Sequence, residues 1–137
     1  MNERKYVLMS IKPQYAELIR QKKKSIELRK RIPKIKESDI IIFYESSPMK
    51  AVTLACEVSK IFCMPPEKLW KKCGKRAAVE HSFFQKYFEE KDLAYGIELR
   101  NITTITPKGL HCISDELKAS QSYRYLTEAE FSQITID

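Results

Sequence analysis

Residues 9–31 read MSIKPQYAELIRQKKKSIELRKR, and this stretch decides the architecture because its apolar period changes twice within it. The residues leading into it, 5–11 (KYVLMSI), are apolar and β-branched enough for a buried first strand. Pro13 then stands where a helix can begin, since the amide proton it lacks would have no partner there. Tyr15, Leu18 and Ile19 follow at helical spacing, with Glu17, Arg20 and Gln21 outside, and Lys22–Lys24 ends the helix. From Ser25 the period falls to two. Ser25, Glu27 and Arg29 share one face of a second strand, and Ile26 and Leu28 share the other. A row of hydroxyl, carboxylate and guanidinium is therefore presented together, with aliphatic residues behind it.

The charge in this region is as informative as its periodicity. Residues 20–36 hold Arg20, Lys22, Lys23, Lys24, Arg29, Lys30, Arg31, Lys34 and Lys36 against the single acid Glu27. That is a local net charge of +8 in a chain whose total is +7, so the remaining residues sum to −1. Concentrated positive charge draws a polyanion to one place. The lone carboxylate inside that field marks either chemistry or selective recognition.

Outward from this centre, residues 39–45 (DIIIFYE) read as a strand ending in a turn at Ser46-Ser47-Pro48. Residues 50–63 form a long strand with Val52, Leu54, Cys56 and Val58 facing one way. Pro65-Pro66 opens a short helix over Glu67–Lys72, which Gly74 is placed to terminate in the left-handed conformation. A helix over 79–89 carries Phe83, Phe84, Tyr87 and Phe88, an aromatic stripe that could be read as a base-stacking platform but that helical spacing favours as core packing. The strand 93–106 follows, with Leu93, Tyr95, Ile97 and Leu99 on one face. Thr127 and Glu130 fit a capping box, and Leu126 with Phe131 fits the hydrophobic staple around it, so a helix over 128–133 closes the chain. Five or so strands with interspersed helices point to an α+β fold, a small mixed barrel.

The bulk numbers bound the function. At 137 residues the chain is expected to form one domain over 1–137, and 43% apolar with 31% charged content describes a globular protein. Three glycines leave no room for a glycine-rich phosphate loop. There is no long apolar run for a membrane span and no signal-peptide pattern in MNERKYVLMSIKP, which makes the cytoplasm the expected address. Cys56, Cys63, Cys73 and Cys112 include no CxxC pair, and with His81 and His111 they match no common zinc spacing. Reduced thiols, no metal and no cofactor are expected.

Three groups of residues could carry function. Lys24, Glu27 and Arg29 come first: an anionic acceptor in a cationic groove can accept from the exocyclic amine of a base while Lys12, Lys22, Lys23, Lys30 and Arg31 hold phosphates. The same carboxylate could instead take a proton from a ribose hydroxyl. The bland alternative is a solvated strand face with a surface ion pair worth about 0–1 kcal/mol. Tyr44, Glu45, Ser46 and Ser47 come second, a strand end able to line a pocket mouth, or a plain turn. Third is the segment Ser122-Tyr123-Arg124-Tyr125, whose Tyr123 and Arg124 can stack on exposed bases. An acidic protein partner would suit the same basic patch. Nothing resembles a DNA-recognition helix.

The stretch MSIKPQYAELIRQKKKSIELRKR resembles the ASCH domain family of the PUA-like superfamily, whose signature is G-x-K-x-x-E-x-R within a strand–helix–strand frame. Lys22 stands at the usual glycine, Lys24 at the lysine, Glu27 at the acid and Arg29 at the arginine; IIFYESSP, AYGIEL and QSYRYL also look like the family pattern. The resemblance implies a barrel of five to six strands with helices on its rim and a cleft suited to RNA or a modified nucleotide. It also implies two enzyme alternatives. Amidohydrolase members place a threonine nucleophile where Glu27 stands and a glutamate near Ala77, so two of their three catalytic roles have no counterpart here. A metal-independent ribonuclease would use Glu27 as general base and Lys24 with Arg29 to stabilise the phosphorane, with Lys24 or Tyr44 as the acid.

Overall fold

The structure is a computed structural model that describes residues 3–118 and 123–136. The first strand β1 (Tyr6–Ile11), helix α1 (Pro13–Arg20) and strand β2 (Ile26–Arg29) follow the opening stretch as its periods require. They are succeeded by β3 (Ile40–Glu45), β4 (Ala51–Met64), α2 (Pro66–Ala77), α3 (His81–Tyr87), β5 (Ala94–Lys108), β6 (Tyr123–Leu126) and α4 (Glu128–Phe131). The six strands make one mixed sheet in the order β2-β5-β4-β3-β1-β6. Only β1 and β3 run parallel; every other neighbouring pair is antiparallel. The sheet does not close, and β2 and β6 are its edges. The expected α+β architecture with helices at the periphery is what forms.

Apolar residues pack on both faces of this sheet. Val7, Met9, Ile11, Ile41 and Phe43 join Leu54, Cys56, Val58, Ile97 and Leu99 under α1. Leu8, Ile42, Tyr44, Val52 and Ala55 join Ile105, Leu110 and Leu126 on the opposite side. A third cluster sets Ile26, Leu28 and Phe62 against Leu69 of α2 and Phe84 of α3. Strand β2 is thus apolar on one face and Glu27 points the other way, in register with Ile97 of the first cluster.

Three local expectations are corrected. Val52 does not share a face with Leu54, Cys56 and Val58, because Tyr44 pairs with Val52 while Phe43 pairs with Leu54. Thr53 is the extra residue of a β-bulge, which reverses the alternation at that point. Gly74 does not end α2; Ala78 takes the left-handed cap conformation at φ 55°. Gly74 instead lets the Trp70 ring approach, since a Cβ there would lie 2.6 Å from Trp70 Cε3. The aromatic stripe of α3 divides: Phe84 and Phe88 enter the third cluster, whereas Phe83 remains 40% exposed. At the C-terminus, Thr127 and Glu130 form the reciprocal capping box, and Leu126 and Phe131 pack in the second cluster.

Candidate functional site

The sheet's open seam, between edge strand β2 and the end of β1, is where functional side chains gather. A cavity of about 280 Å³ opens there. Ser10 and Ile11 of β1, with Lys12 just beyond it, form one side, and Glu27, Leu28 and Arg29 of β2 form the other. Tyr15 of α1, Val79, and Phe83 and Tyr87 of α3 supply the walls. Phe83 and Tyr87 lie nearly parallel, 12° apart with ring centroids 5.9 Å apart, and Tyr15 is 6.3 Å from Phe83.

Glu27 is the charged centre of this hollow and is only 7% exposed. Its Oε2 lies 2.9 Å from an Arg29 guanidinium nitrogen, and its Oε1 lies 3.8 Å from Lys24 Nζ. The Arg29 guanidinium also donates to the Ser10 carbonyl at 2.6 Å, so one side chain spans the seam from β2 to β1. Lys24 is 2% exposed; it donates to the Ala77 carbonyl at 2.7 Å and sits 5.2 Å from the centre of the Tyr15 ring. That carbonyl belongs to the last residue of α2, where the helix dipole favours a cation.

Burial disfavours the ammonium and holds Lys24 below its ordinary pKa, with the Glu27 charge opposing that shift and Arg29 reinforcing it. Burial likewise raises Tyr15, which Glu27 pushes further, and raises Tyr87. The arrangement offers an anionic acceptor, two cations and three aromatic walls in a partly desolvated space.

The remaining sequence candidates are placed less uniformly. Lys12 lines the cavity. Lys22, Lys23, Lys30 and Arg31 are exposed and form no ion pair with a described residue, and Lys30 Nζ lies 4.8 Å from the Tyr87 ring centre. Other cations of the 20–36 run are engaged by acids from elsewhere. Arg20 pairs with Glu45 and Glu17, and Lys36 pairs with the fully buried Asp39. The positive field is therefore narrower than the linear count implies. Ser25 leaves the row, lining a separate groove with Lys22, Asn101 and Thr103.

Tyr44 is not brought to the cavity; it is buried with Leu8, Ile42 and Val52 on the opposite face. Glu45 turns instead to Arg20 and Thr53, accepting from each at 3.0 Å. Ser46 and Ser47 do not line the cavity; the Ser46 amide donates to the carbonyl of the lining residue Ile11 at 3.0 Å. Tyr123 packs on the first cluster, and Arg124 pairs with Glu130 at 2.9 Å, so neither reaches the cavity. Ser122 lies outside the described residues.

The cysteines are all free, and burial raises the Cys56 thiol pKa. Among the described residues no three His, Cys, Asp or Glu side chains come together to hold a metal.

The sequence matches the family model for the ASCH domain over residues 9–103, a span that includes Lys24, Glu27, Arg29 and three of the cavity's aromatic walls. The chain belongs to the ASCH domain family. An ASCH relative from Zymomonas mobilis, named an ASCH domain-containing ribonuclease, is 29% identical over 136 residues, covering 96% of this chain and 91% of the relative. The crystal structure of ASCH from Zymomonas mobilis matches with a TM-score of 0.90 at 28% identity, over 96% of this chain and 94% of that one. Human THYN1, crystallised in complex with DNA containing 5-methylcytosine, matches at a TM-score of 0.52 and 13% identity over 93% of this chain and 94% of that one. This last likeness is one of fold alone.

The walls of the ASCH cavity were the part that spacing concealed. Phe83 and Tyr87 stand at i and i+4, as do Phe84 and Phe88. The two pairs define adjacent lines on one helix, and burial alone distinguishes them. The Ala77 carbonyl had no side-chain signal at all.

Proposed function

We propose that this ASCH chain, acting as a single domain, binds single-stranded RNA by seating one nucleotide in the cavity at the seam. The observation that carries this reading is the buried Glu27 held between Lys24 and Arg29 on the floor of an aromatic-walled hollow. Tyr15, Phe83 and Tyr87 provide faces for an unstacked base, the usual grip on single strands. Glu27 Oε2 is committed to Arg29, which leaves Oε1 to accept from an exocyclic amine or a ribose 2′-hydroxyl. A volume of about 280 Å³ is at the lower edge of ligand pockets, about 300–1,000 Å³, and suits one nucleotide unit. Lys12, Lys22, Lys23, Lys30 and Arg31 are the phosphate contacts in this reading. The cytoplasm is the compartment we propose; among the described residues no helix is long and apolar enough to cross a membrane.

Fluorescence anisotropy with short labelled RNAs tests it. Affinity should fall steeply with salt, because each neutralised phosphate releases counterion. Glu27→Gln should change which base is preferred, whereas Lys30→Gln should weaken all sequences alike. Affinity that stays flat between low and moderate salt would rule the reading out.

A second reading, metal-independent RNA cleavage, is favoured by the ribonuclease name of the 29%-identical relative. Glu27 would accept the 2′-hydroxyl proton and Arg29 would stabilise charge on the phosphorane. Lys24, whose ammonium is easier to deprotonate than an exposed lysine, is the proton donor to the leaving oxygen. Tyr44 is too far removed by its burial on the other face to serve. Incubating labelled RNA with the protein in chelator should give products that Glu27→Gln abolishes while affinity persists. Intact RNA after long incubation with the unaltered protein would end this second reading.

A further inference from the structure

The second strongly cationic surface lies outside the cavity, on α2. Lys68, Lys71 and Lys72 are exposed and stand at i, i+3 and i+4, the spacing that aligns side chains along one face of the regular first part of α2, and the exposed Lys75 follows just past a kink at Cys73, whose φ of −144° is non-helical. None of the four forms an ion pair with a described residue, unlike their neighbour Arg76, which is paired with Glu98. The whole-chain charge conceals this stripe, because acids elsewhere offset it in the sum. At about 1.5 Å of rise per residue the three lysines before the kink span roughly 6 Å, and Lys75 carries the positive charge past it.

The stripe also runs toward the cavity. Two residues past Lys75, the Ala77 carbonyl accepts from Lys24 at 2.7 Å, and the Arg76 carbonyl accepts from the Ser25 amide at 2.9 Å. The exposed Lys22 and Lys23 directly precede that junction, and Val79, just past the helix, lines the cavity.

We propose that α2 is a phosphate track continuous with the cavity, so that the ligand is an RNA strand of several nucleotides and not a free nucleoside or mononucleotide. This rests on the RNA-binding reading of the cavity and adds the size class and path of the ligand. One nucleotide enters the seam, and the adjoining backbone lies along the lysines of α2. Repeating negative charge at a spacing of several ångströms is what complements four exposed ammonium groups along α2 that no described acid neutralises, and the backbone of a nucleic acid supplies it irrespective of sequence.

The test compares the unaltered protein with a variant carrying Lys68→Gln, Lys71→Gln, Lys72→Gln and Lys75→Gln. Binding of 2′-O-methyl oligocytidylates of 3 and about 12 nucleotides is followed by anisotropy over a salt series; the methyl groups block cleavage at the 2′-hydroxyl, and the cytosine amine remains to donate to Glu27. With a slope of about −0.7 per single-strand phosphate contact, losing three contacts should flatten the log–log salt slope for the longer RNA by about 2 and weaken it roughly 10- to 100-fold at low salt. The trinucleotide should bind both proteins alike. Equal affinity of the two proteins for the longer RNA would overturn the track, as would an equal loss for both RNAs. Polyglutamate of matched charge displacing the longer RNA as well as unlabelled RNA does would assign the stripe to acidic protein and overturn it too. If the unaltered protein binds neither RNA, the cavity reading itself fails, and the track with it.

Discussion

Replacing Glu27 with glutamine tests the electrostatic core of the site. The substitution keeps the shape and one acceptor oxygen, so Arg29 can still donate. It removes the carboxylate that faces both Lys24 at 3.8 Å and Arg29 at 2.9 Å. At these separations and an effective dielectric of about 20 the attraction is about 4 kcal/mol for the Lys24 pair and about 6 kcal/mol for the Arg29 pair, before desolvation is subtracted. Removing one partner of a buried ion pair typically costs about 3–5 kcal/mol, and the retained acceptor places this case at the lower end, about 3 kcal/mol. For a domain of this size that is a fall in Tm of roughly 10 °C.

The pH dependence has a definite sign. Lys24 is already below its ordinary pKa in the folded state, and loss of the Glu27 charge lowers it further. Between the depressed folded value and the ordinary unfolded one, the unfolded chain binds more protons, so stability rises with pH across that window. Below the folded value the full penalty of a buried ammonium is present. The deficit of Glu27→Gln should therefore be largest near neutrality and shrink as pH rises toward 10. Thermal melts followed by circular dichroism at pH 7 and pH 10 measure both quantities. A variant that melts within a degree of the unaltered protein, or whose deficit widens with pH, would refute the reasoning.

Other substitutions probe separate parts of the argument. Phe83→Ala should weaken RNA binding by about 1–3 kcal/mol in a titration while leaving Tm nearly unchanged, since this ring is 40% exposed and its stacking face serves the ligand. Thr127→Ala removes one half of the capping box at α4 and should cost about 1 kcal/mol in urea unfolding without affecting RNA affinity. Gly74→Ala forces a methyl group to within 2.6 Å of the Trp70 ring; a loss of about 1–3 kcal/mol with altered Trp70 fluorescence is expected.

Much of the frame was legible because local periodicity and global packing agree. Pro13, the helical spacing of Tyr15 and Ile19, and the alternation of residues 26–29 gave strand, helix and strand in the right places. Alternation also gave the side of β2 on which Glu27 lies. It did not reveal what that side faces, since whether a polar row meets water or a hollow depends on how far the sheet curls. Tyr44 shows the same limit. Its place at a strand end suggested a pocket mouth, yet its face is covered by Val52 and Ala55 of the next strand and by Leu126 from the far end of the chain. The Thr53 bulge was hidden because an extra residue leaves no trace in composition, although it reverses which face Val52 occupies. Charge was legible as a sum along the chain but not as a field in space, because Glu45 and Asp39 enter the basic run from elsewhere.

Lys24 is held by the peptide oxygen of Ala77, and a peptide oxygen has no codon of its own. Any small residue could stand at 77 and leave that anchor in place, so scanning the chain by side-chain replacement would pass over this position as though it had no part in the site. Swapping the amide that follows Ala77 for an ester, which weakens the carbonyl as an acceptor, is the change that would expose this attachment.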